Sequence, residues 1–62
     1  MTWDALQRIY FRYQWANGTA IYAAKYGTPE ERRAAEQAAL DRYEAYLRAK
    51  VEYQRAKGAT AA

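Results

Sequence analysis

The chain has 62 residues, among them no Cys and no His, and its ten basic and seven acidic residues give a net charge of +3. A domain of about 60 residues buries only about 60% of the surface that its unfolded chain exposes, so its core is marginal. The missing residue types exclude disulfides and nearly every zinc site. We therefore expect stability to come from close helix packing, self-association or a partner.

Residue composition favours an all-α fold. Ala, the best helix former, occurs fifteen times, whereas Pro occurs once and Ser does not occur. The segment Met1–Asp4 has no basic start, and the longest apolar run, Ala20 to Ala24, is far too short to cross a bilayer. We therefore expect a cytoplasmic protein without a membrane partner.

The first predicted helix covers about residues 3–26. Thr2 is a suitable N-cap, and Asp4 lies in the first turn, where the helix dipole favours an acid. Asn17-Gly18 is a turn signal, so two interpretations are open: one continuous helix, or a break near 17–18. The apolar pattern keeps its helical phase through both residues, and this favours the continuous helix.

The clearest boundary in the sequence lies at residues 26–31. Gly27 suits the left-handed position that ends many helices. Thr28 is a good N-cap, Pro29 fits the first helical position, and Glu31 completes a capping box. Because four signals agree, the sequence predicts that one helix ends near Tyr26 and another begins at Pro29.

The second predicted helix covers about residues 29–57, with Gly58 as its end and residues 58–62 as a frayed tail. Two helices with a short link predict a single domain over 1–57, an antiparallel two-helix hairpin. Four apolar side chains from each helix are expected to hold it together. These are Leu6, Ile9, Tyr10 and Tyr13, packed against Leu40, Tyr43, Leu47 and Val51.

The first helix also has a second apolar side, opposite the one that faces its neighbour. It consists of Phe11, Trp15, Tyr22 and Tyr26, with Arg8 and Arg12 alongside. A hairpin covers only one side of each helix, and a helix that is apolar on two sides is normally enclosed. Either the chain bends at Gly18 into a three-helix domain that buries these rings, or they form an interface.

Aromatic and Arg side chains are enriched at interfaces, and this favours the second interpretation. Two hairpins could bury the rings symmetrically as a homodimeric four-helix bundle, or the rings could dock on a larger protein. We expect a small interaction protein that acts as an adaptor, inhibitor or regulator. Such proteins are common in bacteriophages and in bacterial accessory operons. The expected interface residues are Arg8, Phe11, Arg12, Trp15, Tyr22 and Tyr26.

Catalytic and cofactor chemistry is not expected. Ser, Cys and His are missing, so the usual nucleophile and base arrangements cannot form. The carboxylate pair Asp41 and Glu44 lies among Arg residues on a predicted solvent face, and no Gly-rich loop could hold a phosphate. We expect no enzyme activity, metal, cofactor or small-molecule substrate.

Nucleic-acid binding is the alternative function. Arg8, Arg12, Trp15 and Tyr26 share one side of the first helix, and such residues stack on bases and contact phosphates. In length and architecture alone, the chain resembles the short helical hairpins that dimerise and bind RNA in plasmid copy-number control. It contains no motif of theirs. The small basic excess weighs against this alternative.

Overall fold

The computed structural model describes residues 1–61, and their side chains through residue 58. Over these residues the chain forms two helices, α1 (Trp3–Tyr26) and α2 (Pro29–Ala61), and no strand. The helices run antiparallel, since Trp3 contacts Tyr53 while Tyr13 contacts Tyr43. They form a rod of 51 × 15 × 11 Å. The predicted all-α fold with two helices is confirmed.

The first helix begins with a side-chain cap and continues without a break. The Ala5 N–H donates to Oγ1 of Thr2 at 3.1 Å, as predicted for this N-cap. The helix passes through Asn17-Gly18 to Tyr26, so the continuous interpretation is confirmed and the bend at Gly18 is wrong. A Gly inside a helix costs about 1 kcal/mol, and the in-phase packing of residues on both sides outweighs it.

The second helix begins with the predicted capping box. The Glu31 N–H donates to Oγ1 of Thr28 at 3.1 Å, and the Thr28 N–H donates to Oε1 of Glu31 at 3.3 Å. Each residue therefore satisfies a backbone donor that the helix start leaves free. This box, next to Pro29, fixes where α2 begins.

Gly27 links the helices in a way that the sequence did not predict. Its φ of −91° and ψ of 168° are extended, so the predicted left-handed cap is wrong. The Gly27 N–H donates to the Ala23 carbonyl oxygen at 2.9 Å. A Cβ at Gly27 would lie only 2.8 Å from that oxygen. Glycine is therefore required here for a close backbone approach, not for a left-handed conformation.

The end of α2 also differs from the prediction. The helix continues through Gly58 to Ala61, whereas the sequence predicts an end at residue 57 and a tail over 58–62. Gly58 has no positive φ. Its helical cost of about 1 kcal/mol is small, and the Ala residues that follow favour helix. Of the predicted tail, Ala62 lies outside the described residues.

Rings from both helices meet along the half of the hairpin far from the turn. Three pairs face one another, with ring centroids 5.8 Å apart for Trp3–Tyr53, 5.2 Å for Tyr10–Tyr46 and 5.1 Å for Tyr13–Tyr43. Aromatic pairs at this separation contribute about 0.5–1.5 kcal/mol each beyond the area that they bury. These rings hold the open half of the hairpin.

Small residues fill the other half, near the turn. Ala20 and Ala23 of α1 are buried, and Ala35 and Ala39 of α2 are half-buried. The distance between packed helices depends on the side chains at the contact, so Ala lets the backbones approach closely. The buried apolar residues of the described chain are Leu6, Ala20, Ala23 and Ala49. A core made mainly of Ala is small.

The predicted packing of α2 against α1 is wrong, because α2 is rotated about its own axis relative to the prediction. Leu6 is buried as expected, and Tyr43 contacts Tyr13, but Leu40, Leu47 and Val51 are 56%, 41% and 45% exposed. The apolar arc of α2 is wider than one neighbouring helix can cover. Pairing the large rings with those of α1, around the buried Ala49, turns the aliphatic side outward. We call the exposed set Leu40, Tyr43, Leu47 and Val51 the α2 stripe.

Candidate interaction surface

Four aromatic residues lie on the side of α1 that points away from α2. Their helical spacing brings them to one side, and the contacts of α2 with the opposite side leave them uncovered. Their exposed fractions range from 64% for Phe11 to 81% for Trp15. The residues are Phe11, Trp15, Tyr22 and Tyr26, and we call this set the aromatic face. These four predicted residues therefore share one exposed side of α1.

The end of the aromatic face nearest the turn consists of two rings in contact. The ring centroids of Tyr22 and Tyr26 lie 4.9 Å apart, one helical turn from each other. The two rings therefore form one continuous apolar area at this end of the face.

A shallow notch lies between Trp15 and Tyr22. It is bordered by these two rings together with Gln14, Gly18 and Thr19. Apart from the neighbouring residues and the surrounding backbone of α1, no heavy atom lies within 4 Å of the position that a Cβ at Gly18 would take. The Thr19 hydroxyl donates to the Trp15 carbonyl oxygen at 3.1 Å and is turned back toward the helix. A partner side chain could enter this notch and contact both rings.

Arg12 lies beside Trp15 at a groove between the helices. This groove is lined by Arg12, Trp15, Ala16, Thr19, Ala35, Ala38 and Arg42, without a carboxylate. Arg42 comes from α2 and was not among the predicted site residues. The turn gives a signal for it, because an antiparallel hairpin that turns at 27–28 places residue 12 level with about residue 43, next to Arg42 in the chain. Arg8 is exposed on α1 and does not line this groove.

The charges of Arg12 and Arg42 are free to meet a partner. Across residues 1–58, ion pairs join Arg32 to Glu36 and Arg48 to Glu44, each at 3.8 Å and well exposed. Neither Arg12 nor Arg42 takes part in them. Two guanidinium groups next to Trp15 make this edge of the aromatic face positive.

The described residues contain neither a metal-binding cluster nor a membrane-spanning segment. No group of three or more Asp or Glu side chains is placed to hold a metal ion there. Neither α1 nor α2 contains a stretch both long enough and apolar enough to cross a membrane. Comparison of the chain with protein-family models, with curated proteins and with solved structures gives no match.

Proposed function

We propose that this chain is a small, non-enzymatic protein–protein interaction module of the cytoplasm, an adaptor, inhibitor or regulator that acts through the aromatic face. One observation carries the proposal: Trp15, 81% exposed, lies among three further large rings on the side of α1 that α2 does not cover. Contiguous apolar patches of this kind are rare on monomers and mark interaction sites.

The residue types of the aromatic face are those that contribute most to binding. Trp, Tyr and Arg are enriched in binding hot spots. Trp and Tyr bury large areas and have few rotamers to lose, and Arg adds charged hydrogen-bond donors. Trp15 stands at the centre, between the notch at Gly18 and the groove with Arg12. A partner that fills the notch would desolvate both rings that border it.

The charge at the edge of the aromatic face indicates the chemistry of the partner. Arg12 and Arg42 lie beside Trp15 and form no ion pair among the described residues. A partner surface with an apolar ridge and one or two carboxylates would complement the ring and both guanidinium groups. We therefore propose an acidic protein surface as the binding target.

Self-association into a four-helix bundle is part of the proposal. A compact monomer of 7.2 kDa exposes about 4,100 Å² by the usual scaling with mass, whereas this hairpin exposes 5120 Å². The excess, about 1,000 Å², is close to the roughly 800 Å² that each partner contributes to a standard interface. A second copy of the chain would cover such an area.

Affinity capture from cells of the native host tests the role of the aromatic face. Proteins retained by the wild type are compared quantitatively with those retained by Trp15→Ala and by the control Gln37→Ala, an exposed α2 residue. We expect one partner to be lost with Trp15→Ala and retained with Gln37→Ala. Equal retention by both variants would contradict the proposal.

A nucleic-acid-binding helical dimer that regulates gene expression or copy number is the second candidate. It is favoured by one observation, the groove that Arg12, Trp15 and Arg42 line together without a carboxylate. This function requires an affinity for short single-stranded RNA that falls steeply with salt, with a smaller slope for the Arg12→Ala, Arg42→Ala double variant. A flat salt response, or no binding at low salt, would exclude it.

A further inference from the structure

The α2 stripe is a second apolar surface, separate from the aromatic face. Leu40 and Tyr43 lie at the edge of a groove between the helices, while Leu47 and Val51 lie further along the outer side of α2. All four side chains are at least 41% exposed. Because the aromatic face belongs to α1 and points away from α2, one partner helix cannot cover both surfaces.

We infer that the α2 stripe binds a second copy of this chain, with the two α2 helices antiparallel about an axis between residues 45 and 46. In this arrangement Leu40 of one copy lies opposite Val51 of the other, and Tyr43 lies near Leu47. The inference deepens the proposed function, in which the chain self-associates, by assigning the surface that joins the copies.

The charged residues beside the α2 stripe are complementary between two copies related by this two-fold axis. An antiparallel two-fold pair brings the same flank of each helix together, so Glu44 of one copy meets Arg48 of the other, twice. Within one chain these two side chains form an ion pair at 3.8 Å and are 64% and 82% exposed, so a second copy can reach both and extend the pair across the interface. Opposite charges in facing positions favour one register over its alternatives.

The shape of α2 supports the same register. Leu47, Arg48, Val51, Glu52 and Arg55 surround a shallow depression on its outer side. In packed helices a side chain of one helix enters a hole formed by about four residues of the other. With the axis between residues 45 and 46, Leu40 of the second copy falls at this depression.

The aromatic face is a poor surface for a second copy. Arg8, Arg12 and Arg42 lie on or beside it, and two copies joined there would bring guanidinium groups together. Like charges that face each other oppose association. A pair joined through the α2 stripe instead leaves both aromatic faces exposed, so that a partner with two sites would bind with avidity.

Sedimentation equilibrium over a range of concentrations tests the inference. We expect the wild type and Trp15→Glu to reach twice the chain mass of 7.2 kDa, and Leu47→Glu to remain at 7.2 kDa. Glu and Leu have similar helix propensities, so circular dichroism of Leu47→Glu reports whether the hairpin itself persists. Dissociation by Trp15→Glu with Leu47→Glu still paired would overturn the inference.

Cross-linking tests the register even if Leu47→Glu fails to fold. The chain has no Cys, so single cysteines can be placed freely. Two copies of Glu44→Cys would be offset along the helix axis by about 4.5 Å, and two copies of Leu40→Cys by about 16.5 Å. We expect a short bismaleimide to link Glu44→Cys to itself but not Leu40→Cys. Linking of both would indicate parallel helices and overturn the inference.

A monomeric wild type would also overturn the inference. The proposed function of the aromatic face would then be tested separately, by affinity capture. Loss of capture by Trp15→Ala in that monomer would support the function, so the two proposals can fail independently.

Discussion

The Gly27 N–H donates to the Ala23 carbonyl oxygen at 2.9 Å, and a Cβ at Gly27 would lie 2.8 Å from the same oxygen. This approach closes the last turn of α1 immediately before the capping box of α2. The clash would be with backbone, which cannot rotate aside. The direction in which the chain turns from α1 into α2 therefore depends on Gly27 having no side chain.

Substitution of Gly27 is expected to destabilise the hairpin. Gly27→Ala forces either the backbone of Ala23 or the turn to move, at a cost of about 1–3 kcal/mol typical of overpacking. Gly58→Ala is the matched control, because a Cβ at Gly58 meets nothing within 4 Å. Urea unfolding, followed by circular dichroism at one protein concentration, measures both. Equal stability of the two variants would contradict the account of the turn.

Gly18→Ala is expected to have the opposite effect. Gly18 lies inside α1 with open space at its Cβ position, so Ala removes the cost of Gly in a helix, about 1 kcal/mol. Thermal unfolding at fixed concentration should show a higher Tm. A lower Tm would mean that Asn17-Gly18 forms a turn, and that α1 is broken there.

The ring pairs between the helices are expected to carry more stability than the aromatic face. Tyr46→Ala removes ring contacts with Tyr10 and Tyr13 and should cost about 2–3 kcal/mol. Tyr22→Ala removes the same atoms from an exposed position whose ring contact is with Tyr26, and should cost less than about 1 kcal/mol. Chemical unfolding measures the free energy of unfolding of both variants. A larger loss of stability for Tyr22→Ala would contradict the placement of Tyr46 between the helices and of Tyr22 on the exposed surface.

Local signals in the sequence predict the turn, because a capping box depends on residues three positions apart. The bonds between Thr28 and Glu31 form as expected. The turn also fixes which residues of α1 and α2 lie at the same level, and this places Arg42 close to the level of Arg12. That both line one groove depends in addition on the rotation of α2. The members of the aromatic face follow from helical spacing.

The rotation of α2 could not be predicted, because its apolar arc includes Ala, Tyr and aliphatic residues and offers several possible seams. The choice depends on how rings from both helices fit, as between Tyr10 and Tyr46. The end of α2 was missed because Gly58 is permitted in a helix as well as after one. In both cases the sequence permits more than one local structure, and local patterns do not show which of them is more stable.

Photo-cross-linking in cells of the native host tests the role of the aromatic face most directly. Benzoylphenylalanine at Tyr22 keeps an aromatic ring in the exposed surface, and the same group at Ala34 probes an exposed α2 position outside both surfaces. We predict that position 22 gives one discrete adduct with another protein, abolished by Trp15→Ala, while position 34 gives none. No adduct at position 22, or the same products at both positions, would contradict the role of this surface.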